Sequence, residues 1–145
     1  MQYHIKTNLH YFIVVLLIGL LCFSFSTDTT AAKPKPDQVL QMLKDGNARF
    51  VSGKASYPHQ NSDRIKLAGE ADQGNYAYAT IISCSDSRVP VELIFDAGVM
   101  DIFVIRVAGN VCDTDEIGSI EYGLAHVRTP LLLVLGHTRA ARSPL

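Results

Sequence analysis

Two short stretches of this chain gather side chains able to hold a metal ion and to move protons. Cys84-Ser85-Asp86-Ser87-Arg88-Val89-Pro90 offers a thiol, a carboxylate and a guanidinium in close succession, and Gly136-His137-Thr138 adds an imidazole. A thiol and an imidazole in an oxygen-poor donor set favour zinc over magnesium or calcium. A carboxylate and a guanidinium two residues apart, Asp86 and Arg88, can form a charge-assisted pair. Each residue alone has a plainer reading: a single Cys is commonly a small buried apolar residue, and His137 can cap a following helix. Their weight depends on whether the chain brings them to one place.

The surrounding elements predict that it does. Short β-rich or apolar runs at 78–83, 101–106 and 130–135 read as strands buried on both faces, which implies a parallel sheet with helices on each side. In such α/β sheets ligands sit beyond the carboxyl ends of the strands. Cys84 comes just after the first run and His137 just after the third, so both arrive at one edge. Between the strands, a short helix is expected at 91–95. Asp113 and Glu116 form a reciprocal cap for a crossover helix whose face is marked by Ile117, Ile120, Leu124 and Val127. Upstream, Asp37 caps a helix bearing Val39, Leu43 and Phe50, with Gly46 a weak point and Gly53 a stop. Residues 54–75 are polar, broken by Pro58, Gly69 and Gly74, with a short helix near 63–67.

The chain has 145 residues, 48% hydrophobic and 19% charged, which suits one globular domain and excludes a disordered chain. Its net charge of −1 gives no general grip on phosphate backbones, so nucleic acid is not an expected partner. The apolar run at 11–23 reads as the core of a secretory signal over residues 1–26, shorter than the roughly 20 residues a spanning helix needs. An uncleaved anchor is the main rival, and lipid attachment at Cys22 is disfavoured by the bulky residues before it. The expectation is an exported chain, periplasmic or secreted, without stable membrane insertion once the signal is cut. Beyond the signal come a polar linker at 27–36 and a domain at 37–145. Cys84 and Cys112 could pair in an exported protein, or at least one could be a ligand.

CSDSRVP, IFVIRVAGN, the GSIEYGLAH helix and LLLVLGHT together resemble, in order and spacing, the β-class carbonic anhydrases, from about Gly46 to Thr138. The resemblance implies a Zn2+ enzyme, a carbonate dehydratase interconverting carbon dioxide and bicarbonate through hydroxide generated at zinc, active as a homodimer or higher oligomer. Carried over by position, Cys84 and His137 match two metal ligands, and Asp86 with Arg88 matches the family's Asp-Arg pair. Asp86 is also the residue able to ligate zinc itself if Arg88 releases it. Gly109 reads as a residue of backbone geometry alone and Cys112 as a packing residue. His59 and His126 are outlying candidates for proton transfer.

One part of the pattern departs. The family motif runs Gly-His-Thr-x-Cys-Gly-Ala, its Cys supplying the last zinc ligand; here Ala140 stands in that place. The expectation is a partial domain, incomplete at its C-terminus, in which a single-base deletion, in the gene or in its sequencing, has shifted the frame at Ala140, with a genuine short variant as the alternative; resequencing the codons from 137 onward decides between them. Zinc binding and activity are expected to be impaired. A second reading is a non-catalytic zinc- or anion-binding remnant that associates with a full-length paralogue. Thiol phosphatase chemistry at Cys84 is set aside, because Pro90 stands where a phosphate-binding Arg would be needed.

Overall fold

The computed structural model describes residues 32–140. The apolar run at 11–23, and the export signal read from it, lie outside them. Three parallel strands form the sheet: β1 (Ala79–Cys84), β2 (Ile102–Val107) and β3 (Leu132–Leu135), in the order β2-β1-β3. The register pairs Cys84 with Val107 on one side of β1 and Ser83 with Leu135 on the other. Only β1 is buried throughout its length. The expectation of burial on both faces fails for β3, where Leu132 and Val134 are exposed; among the described residues β3 pairs with β1 alone.

One face of the sheet is covered by α1 (Pro36–Val51) and α3 (Val91–Ile94). Val39, Leu43, Val91 and Phe95 pack there with Ala79, Ile81 and Ile102 as the hydrophobic core. Pro36 takes the first helical position, where its missing N–H costs nothing. The cap is Lys35, whose N–H donates to the Gln38 side chain. Asp37, expected as the cap, sits instead in the first turn, where its charge suits the helix dipole. Gly46 is no weak point: a Cβ there would overlap the Phe95 carbonyl, so glycine lets α1 close on the chain after α3. Phe50 is exposed rather than buried, and the contact at this end of α1 passes to Arg49, whose Nε donates to Asp96 at 2.6 Å.

The other face carries α4 (Thr114–Ala125), capped as expected: the Asp113 carboxylate accepts from the Thr114 N–H, and the Glu116 carboxylate from the Asp113 N–H. Its buried side differs from the expected one. Ile117 and Leu124 are exposed, and the close contact is made by Gly123, where a Cβ would overlap Thr80 Oγ1. A helix seated this tightly on the sheet turns its larger apolar residues sideways. Val127, just beyond α4, is buried as expected.

The amino end of the sheet is tied by its own polar network. Asp101 accepts from His59 Nδ1 at 2.8 Å, from Arg64 Nη2 at 3.0 Å and from the Gly98 N–H at 2.8 Å. Arg64 belongs to α2 (Ser62–Glu70), longer than the short helix expected and capped by Asn61. Lys33, read as linker, donates to the carbonyls of Val127 and Arg128 beyond α4. No helix among the described residues is long and apolar enough to cross a membrane.

Candidate metal centre

Parallel pairing brings the ends of β1 and β3 side by side, with Cys84 the last residue of β1 and His137 two residues beyond β3. Cys84 is buried, and its Sγ accepts the N–H of Asp86 at 3.4 Å and of Gly109 at 3.3 Å. Gly109 reaches this position by a left-handed turn in the Ala108–Asn110 segment, φ 66°, directly after β2. It therefore does more than shape the backbone: its N–H faces the sulfur. The Asp86 N–H, followed by the His137 imidazole beside it, outweighs burial and lowers the Cys84 thiol pKa to about 7. Near neutral pH the sulfur is substantially thiolate, the form that binds metals.

His137 is oriented by its own backbone. Its Nδ1 lies 3.0 Å from the Thr138 carbonyl, which fixes the plane of the ring. Nε2 is buried and has no hydrogen-bond partner among the described residues. A buried imidazole nitrogen at the edge where the Cys84 sulfur lies is a second candidate donor.

Asp86 and Arg88 form a closed pair. Arg88 Nε donates to Asp86 Oδ1 at 2.9 Å, Nη2 to Oδ2 at 2.6 Å, and the Arg88 backbone N–H to Oδ1 at 2.9 Å. These bonds, led by the guanidinium, hold the Asp86 carboxyl well below the usual carboxylate range, and Arg88 is shifted upward in return. Sequence reasoning missed Arg106, on the exposed side of β2. Its Nε donates to the Cys84 carbonyl at 3.1 Å and its Nη2 to the Asp86 carbonyl at 2.8 Å, which pins the turn that aims both side chains. The available signal was a single charged residue closing an apolar strand at the edge where ligands gather.

The candidates sort by place. Cys84, Asp86, Arg88 and His137 lie together at the carboxyl edge. His59 is bonded to Asp101, immediately before β2, and so lies at the opposite end of the sheet. His126 stacks on Tyr122 at the end of α4, in the connection that leads into the start of β3. Neither stands by the thiol. Cys112 is exposed, not packed, and both Cys84 and Cys112 are free thiols.

A catalytic zinc takes three protein ligands and an open position. Among the described residues no three His, Cys, Asp or Glu side chains converge as such a set. Cys84 and His137 supply two suitable donors, Asp86 is engaged by Arg88, and position 140 is Ala. The donor set as it stands falls one short of zinc.

The described residues form a parallel α/β sheet that delivers a thiol, an imidazole and an ion-paired carboxylate to its carboxyl edge, and comparison with known proteins places that arrangement among relatives. Residues 79–141 match the family model for carbonic anhydrase. The chain is 46% identical over 103 residues to carbonic anhydrase 2 of Mycobacterium tuberculosis, covering 70% of this chain and 48% of that one. It is 43% identical over 102 residues to a carbonic anhydrase of Mycolicibacterium smegmatis, covering the same shares, 70% and 48%. Among solved structures it is similar to the β-carbonic anhydrase CcaA, with a TM-score of 0.51 at 29% identity, covering 72% of this chain and 47% of that one. Over these residues the chain is similar to carbonic anhydrases of the β class. It spans about half the length of the curated relatives it matches.

Proposed function

We propose that this chain carries the carbonic anhydrase reaction, the reversible hydration of carbon dioxide to bicarbonate, at a rate well below that of a relative with a complete donor set. The observation that supports it is the carboxyl-edge cluster: Cys84 with two backbone N–H groups on its sulfur and the buried Nε2 of His137 at the ends of neighbouring strands, next to an Asp86 carboxylate locked by Arg88. The family is generally zinc-dependent, and Cys84 and His137 are the residues that would hold the ion, with Asp86 the remaining donor if Arg88 lets it go.

The chain's own groups have clear parts to play. Asp86, kept ionised by Arg88, accepts the hydrogen bond of a protonated oxygen nucleophile and so points its lone pair at the carbon of carbon dioxide. Arg88 keeps that carboxylate from turning elsewhere. Arg106 fixes the turn between Cys84 and Asp86, so that ligand and orienting group keep one relative geometry. If Asp86 is drawn in as a ligand it can no longer orient the nucleophile, which is why the rate should be low.

Stopped-flow hydration with a pH indicator tests this on the full chain, with and without added zinc. The expected result is weak zinc-dependent hydration that rises more than tenfold in Ala140→Cys. No zinc-dependent rate in either protein overturns the proposal. Zinc bound without hydration in the unaltered chain would instead favour a non-catalytic binding remnant, a reading supported by the missing third donor. Export through residues 1–26 and assembly into a homodimer or larger oligomer complete the proposed picture; the solved relatives from Sordaria macrospora are tetrameric.

A further inference from the structure

The turn that joins α3 to β2 is tied at every step. The Ala97 N–H donates to the Glu92 carbonyl, the Gly98 N–H to the Asp101 carboxylate, the Asp101 N–H back to the Gly98 carbonyl, and the Val99 N–H to the His59 carbonyl. Within it, Asp96 and Met100 have left-handed backbones, φ 47° and 70°. Residues with a Cβ hold that conformation where their surroundings impose it, as at ligand clamps. The result is a preorganised wall, which spares a ligand the cost of ordering it.

Against this wall lies a hollow of about 420 Å3, within the roughly 300–1,000 Å3 of small-molecule sites. Its bed is apolar, made by Ile65 of α2 with Ala97, Val99 and Met100 of the turn. Ile65 is 60% exposed and Val99 37%, so the bed is open to an occupant. Gln60 and Glu92 border it, and neither side chain makes a hydrogen bond or ion pair among the described residues. Glu92 is the only charged side chain of the lining. Arg64, whose Nε donates to the Val99 carbonyl at 2.8 Å, has its own charge answered by Asp101 at 3.0 Å. The hollow therefore offers one uncommitted negative charge at the margin of an apolar bed. Ile102, another lining residue, opens β2, which puts the hollow at the amino end of the sheet, away from Cys84 and His137.

We propose that this hollow binds a small organic cation with an apolar body, an alkylammonium. The body lies on Ile65, Val99 and Met100, the ammonium donates to the Glu92 carboxylate, and the Gln60 side-chain carbonyl accepts a second N–H. The carboxylate selects a cation over an anion, and the bed selects an amphipathic ion over a bare one. Nothing in this depends on the hydratase reading.

Three probes of one shape test it: cyclohexylmethylammonium, cyclohexylmethanol and cyclohexanecarboxylate, each titrated into the 15N-labelled full chain and followed by amide shifts. The ammonium is expected to saturate shifts at Gln60, Ile65, Ala97 and Val99, at least threefold tighter than the alcohol, and the carboxylate to bind at least tenfold more weakly than the ammonium. Glu92→Gln should bring the ammonium to the affinity of the alcohol while leaving the alcohol within about twofold. Ile65→Ser should weaken ammonium and alcohol alike by at least threefold. Both side chains are exposed, and unchanged amide shifts elsewhere show that each variant folds. No saturable shift at these amides, equal affinity for the three probes, or ammonium binding undiminished in Glu92→Gln overturns the proposal.

Discussion

Arg88 grips Asp86 with both arms of its side chain and with its own backbone N–H, three hydrogen bonds between residues two apart in the chain. The pair sits at the site's rim, and its strength sets whether the carboxylate orients a nucleophile or turns to a metal.

Arg88→Ala should therefore separate two properties that usually fall together. Zinc affinity is expected to rise severalfold as Asp86 becomes free to ligate. Hydration is expected to fall by about tenfold or more, the range for losing a group that supports a metal site. The Asp86 carboxyl, no longer held down, should titrate nearer the ordinary value of about 3.9, which carboxyl-carbon NMR can track. Loss of both zinc and activity would show Arg88 to be structural only.

Arg106→Met removes the donors to the carbonyls of Cys84 and Asp86. Because Arg106 is exposed, the cost in stability should be small, about 1 kcal/mol. Zinc affinity should drop more than stability does, by roughly tenfold, with partial rescue by Arg106→Lys. Chelator competition alongside urea unfolding separates the two effects.

Asp96 makes stability depend on acid. Burial alone would raise its pKa, but the Arg49 side chain and donors from Ser56 and Tyr57 more than compensate and hold it well below the usual range. A carboxyl depressed in the folded state contributes its stability fully above the unfolded value, about 4, and loses it as pH falls further. The thermal midpoint should thus fall as pH drops below about 4. Asp96→Asn should be less stable at neutral pH and less sensitive to acid; an unchanged acid profile would contradict this role.

Gly46→Ala sets two effects of opposite sign against each other. Helix propensity favours alanine by roughly 1 kcal/mol. Overlap of the new Cβ with the Phe95 carbonyl costs about 2 kcal/mol or more, since the obstacle is backbone and cannot rotate away. The net expectation is a lower midpoint in urea, and a stabilised variant would show that α1 does not close as described.

The apolar runs that became β1, β2 and β3 were legible because buried parallel strands need long stretches of Ile, Val and Leu, and the Asp113–Glu116 cap because its two hydrogen bonds are local. So was the gathering of Cys84, Asp86, Arg88 and His137, since parallel strands all point the same way and release their next residues at one edge. What escaped were facts set by tertiary contact. Gly46 reads as a weak helix residue until the surface it touches is known, and the contact made through Gly123 is likewise visible only in the fold. Phe50, Ile117 and Leu124 have helical spacing, yet each helix docks through a glycine, and spacing alone does not say how closely it approaches. Arg106 and Gly109 act on the thiol's surroundings through the main chain, which no side-chain pattern announces.

The sulfur of Cys84 is welcomed by amides, those of Asp86 and Gly109, rather than by replaceable side chains. Its readiness to carry negative charge is thus inherited with the path of the chain from β1 and β2. Substitution at position 140 can deprive a bound ion of a neighbour without disarming the thiolate. Half of the centre is in this sense a property of the scaffold, and it persists in any descendant that still folds through these two turns.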